Sequence, residues 1–193
     1  LCKTLAVAGV NVVNLVSSIN HKSDSFQRDG YTVVESPQLG VLFSTSIAPR
    51  MLTDARRLHA EKAFDLIHLH FPEPMSHLVS LALPAHIPRV ITWHSDIVKQ
   101  RRVLKLYKPF QTLEINRSKA IVAATRTHFT SSTQIPSNYP DSQKHVIPFG
   151  IDFDWLELTP YLADKAKSIR SQARGKFVVF ALGRQVRYKG FDV

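Results

Sequence analysis

Three residues with chemically useful side chains fall at or just past the ends of short apolar runs. They are His70 after Leu66-Ile67-His68-Leu69, His94 after Val90-Ile91-Thr92-Trp93, and Arg184 after the run from Phe177 to Leu182. An imidazole titrates near neutral pH and can give or take a proton, and a guanidinium grips phosphate oxygens bidentately. If the runs are strands of an open α/β sheet, ligands bind beyond their carboxyl ends, so side chains scattered along the chain converge on one crevice. Position alone also allows His94 a plainer role, as a structural imidazole bonded to a backbone carbonyl, and leans to it. Ser95 and Asp96 follow at once, where either could cap the next helix through a side-chain oxygen.

Other stretches invite chemistry less specifically. On a strand His68 and His70 share a face, with His77 nearby, yet the segment lacks the Cys, carboxylate or i,i+4 His partners of a closed zinc site, so no metal is expected. Phe71-Pro72-Glu73-Pro74 is a stiff loop, suited to a binding lip or to a plain turn. Lys99, Arg101, Arg102, Lys105 and Lys108 lie in a window free of acidic residues from Ile97 to Leu113, with Val103, Leu106, Tyr107 and Phe110 at helical spacing. That pattern suits equally a solvated helix face and a peripheral helix on an anionic bilayer. Gly183-Arg184 through Lys189-Gly190 follows an apolar run and opens a helix. Its glycines, helix N-terminus, Arg184 and Lys189 suit a diphosphate, although it is neither a Walker A loop nor a G-x-G-x-x-G fingerprint.

The elements that must position these residues are short Val/Ile/Leu runs: Val10 to Val16, Tyr31 to Val34, Val41 to Phe43, Leu66 to His70, Val90 to Trp93, Ala120 to Ala124 and His145 to Ile147. Most are continuous rather than alternating, as in parallel strands covered on both faces. Helical spacing marks Pro49 to Lys62 and Met75 to Leu83 between them, and a polar helix covers Tyr161 to Arg174 before a fresh strand at Phe177 to Leu182. The reading is an α/β, Rossmann-like, doubly wound and mostly parallel sheet, with a domain boundary near Gly150. Residues 1–150 form the first domain, 151–176 a hinge and linker helix, and 177–193 the first strand and loop of a second domain.

Leu1 to Gly9 reads as the tail of a helix stopped by glycine, and the chain stops as a new helix starts, so a fragment of a longer protein, truncated at both ends, is expected. The chain has 193 residues, 44% of them hydrophobic, and one cysteine, with no apolar stretch long enough to span a bilayer. These features suggest a folded domain in a reducing, cytoplasmic setting. A formal charge of +10 calls for a polyanionic partner or surface without choosing among nucleic acid, lipid and phosphorylated substrate.

Taken together, Phe64-Asp65-Leu66-Ile67-His68-Leu69-His70-Phe71-Pro72, Thr92-Trp93-His94-Ser95-Asp96-Ile97-Val98, Val146-Ile147-Pro148-Phe149-Gly150-Ile151-Asp152 and Gly183-Arg184 through Lys189-Gly190 resemble the retaining GT-B glycosyltransferases of family 4, or group 1. The resemblance runs from about residue 1 to the last residue. It implies an acceptor-binding N-terminal domain, lacking its first strand and glycine-rich loop, and the start of a nucleotide-sugar-binding domain. Pro148, Gly150 and Asp152 fall on the hinge. It places His94 beside the transferred sugar, Ser95, Asp96, Lys99 and His70 toward the acceptor, and Arg184 with Lys189 on the donor diphosphate.

The resemblance further implies a hexosyltransferase, such as a mannosyltransferase, using a GDP- or UDP-linked sugar as co-substrate. It would need no other cofactor and no metal, and would act on a glycan or lipid-linked acceptor in cell-surface polysaccharide biosynthesis. Residues 99–108 would lean on the inner face of the plasma membrane. The fragment alone is expected to be inactive. Two alternatives are a nucleotide-sugar epimerase on the same architecture, which releases free sugar, and a basic nucleic-acid-binding α/β domain. The latter needs a groove-fitting element of stacked basic and aromatic residues, and none is found.

Overall fold

A computed structural model describes residues 1–43, 45–98, 101–151, 157–183 and 190, with the backbone alone at 101–103. The chain divides into two compact units, Leu1–Phe149 and Gly150–Val193.

The first unit opens with helix α1 (Cys2–Val7) and strand β1 (Val13–Ser18). Gly9, at φ +86, ends α1 by donating to the Ala6 carbonyl, while the Val10 amide reaches Leu5, each at 3.0 Å. Glycine takes this left-handed conformation without a Cβ penalty and so satisfies the helix's last carbonyls. β2 (Asp24–Arg28) and β3 (Tyr31–Pro37) follow. They form a three-stranded ladder in the order β1-β3-β2, with β1 parallel and β2 antiparallel to β3. β4 (Gly40–Leu42) and β5 (Thr45–Ile47) make a separate hairpin, so the runs at Tyr31 to Val34 and Val41 to Phe43 belong to different ladders. The polar, exposed β2 and the short β5 lack apolar runs and were not expected from the sequence.

Helix α2 (Arg50–Lys62) then leads to β6 (Ile67–Phe71), α3 (Pro74–Leu81), β7 (Arg89–Trp93), α4 (Arg101–Arg117), β8 (Ser118–Ala123), α5 (Arg126–Ser131) and β9 (Lys144–Val146). The order β6-β7-β8-β9 is parallel throughout, as continuous apolar runs joined by helices require. The protein is thus an α/β fold with a Rossmann-like parallel sheet, although the single sheet expected is present as two larger ladders and a hairpin. Both larger ladders serve one core: Leu15 of β1 and Ile67 of β6 pack on the cluster made by Met51 and Ala55 of α2 with Met75 and Val79 of α3.

A second cluster lies on one face of β6-β8. Leu69, Phe71, Ile91, Trp93 and Ile121 meet Ile115 of α4 there. Phe71 and Trp93 stack with ring centroids 3.8 Å apart, and both are essentially excluded from water. Burying each ring stabilises the fold by about 2–3 kcal/mol, and the stacked pair adds roughly 1 more. Behind them, Arg89 and Glu114 form an ion pair at 3.2 Å, both wholly buried. Arg89 also donates to the carbonyls of Ser80 and Ile87, and Ser80 Oγ donates to Glu114. Burial raises the Glu114 carboxyl, while Ser80 and Arg89 oppose that rise.

Two expectations need correction. Leu106 and Phe110 of α4 do not share an inward stripe with Tyr107; they face solvent, and the buried line is Gln111, Glu114 and Ile115. The buried polar pair explains the error, because an apolarity pattern cannot see an inward glutamate. In the second unit, α6 (Pro160–Gln172), capped by the Thr159 hydroxyl, matches the expected polar helix. Phe177 to Leu182, however, is not a strand, and Phe177, Val179 and Leu182 are exposed. A strand needs a ladder partner, and this unit has no other among its described residues.

Candidate functional site

Strand pleating sends Leu69 and Phe71 of β6 into the core and turns His68 and His70 to the opposite face. β7 repeats this, with Ile91 and Trp93 inward and Thr92 toward the histidines. Parallel register sets His70 against Thr92 and Phe71 against Trp93, so His94 emerges one step beyond the last paired residue. Its backbone N–H donates to the Phe71 carbonyl at 3.0 Å, extending the ladder and fixing where the imidazole leaves the strand.

The three imidazoles form a column. His68 and His70 stack with centroids 4.9 Å apart, His70 and His94 at 5.2 Å, and His94 and Phe149 at 5.6 Å. His70 Nδ1 lies 2.9 Å from His94 Nε2, and His68 Nε2 lies 2.7 Å from Thr92 Oγ1. Desolvation, followed by the charges of His70 and His94, pushes His68 down to about 4. His70 is lowered by desolvation and by His94, and His94 by desolvation and His128. Each shift favours the neutral imidazole, whose nitrogens act as one hydrogen-bond donor and one acceptor. Among the described residues, no group of three or more His, Cys, Asp or Glu could hold a metal ion.

Beside His94 lies a cavity of about 630 Å³. Its floor is Trp93 to Val98 after β7, one wall is Leu104 and Lys108 of α4, and the other is His128 and the segment 131–134 after α5. Asp96 ties the floor to the second of these walls. Its carboxylate accepts from Trp93 Nε1 at 3.2 Å, Ser132 Oγ at 2.7 Å, and the Thr133 amide and hydroxyl at 2.8 and 3.2 Å. Gln134 adds a second tie, donating to the Ile97 carbonyl and accepting from the Ile97 amide. The result is an open cleft with hydroxyl, amide, imidazole and ammonium groups on its walls, a surface that can hydrogen-bond a polyhydroxylated ligand.

The structure thus gathers His70, His94, Ser95 and Asp96. Neither Ser95 nor Asp96 caps α4, which begins only at Arg101; Asp96 is spent instead on the loop 36 and 37 positions downstream. Pro148 and Gly150 lie in the irregular segment after β9, on either side of Phe149, whose ring meets His94. Lys99, Asp152, Arg184 and Lys189 lie outside the described residues. His77, considered with His68 and His70, is on the core side, stacked on Phe71 and bonded through Nδ1 to the Tyr107 hydroxyl. Glu73 ends the stiff loop after β6, a loop that contains a cis Phe71–Pro72 bond, by capping α3 through the Ser76 amide. Burial raises its carboxyl.

Sequence reasoning passed over His128 and residues 131–134. The rule that found His70 and His94 also finds His128, which follows the carboxyl end of β8 and is tied to Thr125 Oγ1 at 2.8 Å. No local signal announces 131–134, because Asp96 brings that segment into place across the fold.

Comparison with known proteins is consistent with this geometry. The chain is 35% identical over 152 residues to a D-rhamnosyltransferase, WbpZ, of Pseudomonas aeruginosa, covering 79% of this chain and 38% of that protein. It is 32% identical over 124 residues to the O-antigen chain mannosyltransferase C of Escherichia coli, covering 64% of this chain and 32% of that one. The chain therefore spans about a third of the length of these relatives. Residues 1–155 match the family described as Glycosyltransferase Family 4, and the chain belongs to that family.

Proposed function

We propose that this chain is the acceptor-side part of a retaining GT-B hexosyltransferase that moves a sugar from a nucleotide-sugar donor to a growing cell-surface glycan. The observation that carries the reading is His94, set one residue past the end of β7, exposed at the mouth of a hydroxyl-lined cleft and held by His70. The relatives' names, a mannosyltransferase of O-antigen chains and a D-rhamnosyltransferase, support transfer of a mannose-like hexose during polysaccharide assembly.

The chemistry follows from charge. As the bond from the sugar's anomeric carbon to the diphosphate breaks, its electron pair leaves with the phosphate and an oxocarbenium-like centre forms. The acceptor hydroxyl attacks from the leaving group's own face, and its proton passes to a departing phosphate oxygen. His94 is a positioning and electrostatic residue for the sugar and acceptor more than a general base. Neutralising the diphosphate is the task of Arg184 and Lys189 in this reading, with no metal required.

Thermal unfolding of the full-length enzyme, scanned with GDP- and UDP-sugars, tests the proposal. The true donor raises the melting temperature by mass action. His94→Ala should abolish transfer while keeping that protection, and Arg184→Ala should lose both. Full transfer by His94→Ala would remove the reading's foundation.

A further inference from the structure

His70 stands one position before the end of β6 and His94 one position past the end of β7, and the parallel register brings their rings together. His70 Nδ1 meets His94 Nε2 at 2.9 Å with the ring planes 13° apart. The centroids, 5.2 Å apart, are separated by that bond plus the two ring radii, so the rings meet edge to edge and the bridging hydrogen lies near both planes. Behind His70, the His68 ring stacks at 4.9 Å and is itself tied to Thr92 Oγ1. The supporting ring has little freedom to turn.

Such a bond between neutral imidazoles has only two states, because each ring carries one hydrogen. If His94 Nε2 donates, His70 accepts at Nδ1 and keeps its own hydrogen on Nε2, so both rings are in the Nε2–H form. If His70 Nδ1 donates, both are forced into the Nδ1–H form. A histidine ring intrinsically favours its hydrogen on Nε2, the nitrogen farther from the backbone, and the pair expresses that preference twice. Among the described residues His94 Nδ1 has no partner, and His94 lines the cleft. We propose that His70 is a positioning residue that holds His94 in the Nε2–H form, leaving the His94 Nδ1 lone pair to accept from one ligand hydroxyl. The inference rests on the reading of His94 as the residue that meets the sugar or the acceptor. It adds a selectivity: a hydroxyl can donate to that lone pair, whereas a carbonyl or phosphate oxygen cannot, and a deoxy analogue leaves it unpaired.

Nitrogen-15 NMR of the ring nitrogens, at a pH where both rings are neutral, reads the tautomers in the chain directly. The parent should show His94 with its hydrogen on Nε2 alone. His70→Phe should leave His94 as a mixture of both forms, and His70→Asn, whose amide oxygen falls near the place of Nδ1, should restore the single form. In the full-length enzyme His70→Phe should lower kcat/KM about tenfold, as loss of a partner that orients a working imidazole does, and His70→Asn should recover most of it. The accompanying rise falls on the donor KM if the hydroxyl belongs to the transferred sugar, and on the acceptor KM if it belongs to the acceptor. Four outcomes would overturn the proposal: a His94 hydrogen on Nδ1 in the parent, the parent's tautomer retained in His70→Phe, no recovery with His70→Asn, or an unchanged kcat/KM in His70→Phe while His94→Ala is inactive. Full transfer by His94→Ala would instead remove the reading beneath it, and the NMR measurement would still decide the tautomer.

Discussion

His70 Nδ1 and His94 Nε2 face each other at 2.9 Å, so one of the two nitrogens carries the bridging hydrogen and the other must accept it. While the contact lasts, the pair holds at most one positive charge. His94 is the second cause of the lowered His70 titration, after desolvation. His94→Ala should therefore raise the His70 midpoint toward its ordinary value of 6.5, seen in the ring Cε1–H shifts by NMR. An unchanged midpoint would mean that the two rings are not coupled in solution.

Acid should weaken the fold through His77. Burial pushes this imidazole from 6.5 down to about 4, so between those values the unfolded chain binds a proton that the native state excludes. The contribution to stability is intact above about 6.5 and is lost as pH falls toward 4, a change on the order of 3 kcal/mol for a fully buried ring. Melting temperatures of the parent should drop more steeply over this window than those of His77→Phe. Parallel curves would show that some other group carries the acid sensitivity.

The Arg89–Glu114 pair offers a sharper stability test. Arg89→Met strands a buried carboxylate and should cost about 3–5 kcal/mol, read from urea midpoints. Adding Glu114→Leu should recover most of that loss, since the double variant leaves no charge behind. If the double variant is no better than the single one, the carbonyls that Arg89 caps matter more than its ionic partner.

Asp96→Ala removes a carboxylate that accepts four hydrogen bonds and should destabilise by about 2–3 kcal/mol. Its distinguishing mark is local: amide exchange in residues 131–134 should accelerate more than in β6-β8. Uniform acceleration would assign Asp96 to the core rather than to the cleft wall.

Much of this architecture was legible in the sequence because parallel strands declare themselves as unbroken apolar runs. β6, β7 and β8 lie where Leu66 to His70, Val90 to Trp93 and Ala120 to Ala124 placed them, within two residues at each end. His70 and His94 were legible for the same reason, since a polar residue ending such a run marks the ligand side of a sheet. What stayed hidden depends on distant partners. β2 is a strand because β3 accepts it, despite the polar sequence of Asp24 to Arg28. The work of Asp96 is defined by Ser132 and Thr133, which no pattern near Asp96 reveals. The inward place of Glu114 is likewise set by Arg89 and Ser80, neither near it in sequence.

The pleat couples two sides of the sheet that would otherwise be independent. Each imidazole at the cleft adjoins in sequence an aromatic ring buried on the reverse side: His70 precedes Phe71, and His94 follows Trp93. A ring too large or too small in that dark layer is expected to shift its strand end and, with it, the neighbouring imidazole. The shape of the cleft can therefore be altered by substitutions that never line it, and libraries meant to reshape it should include the hidden layer as well as the visible rim.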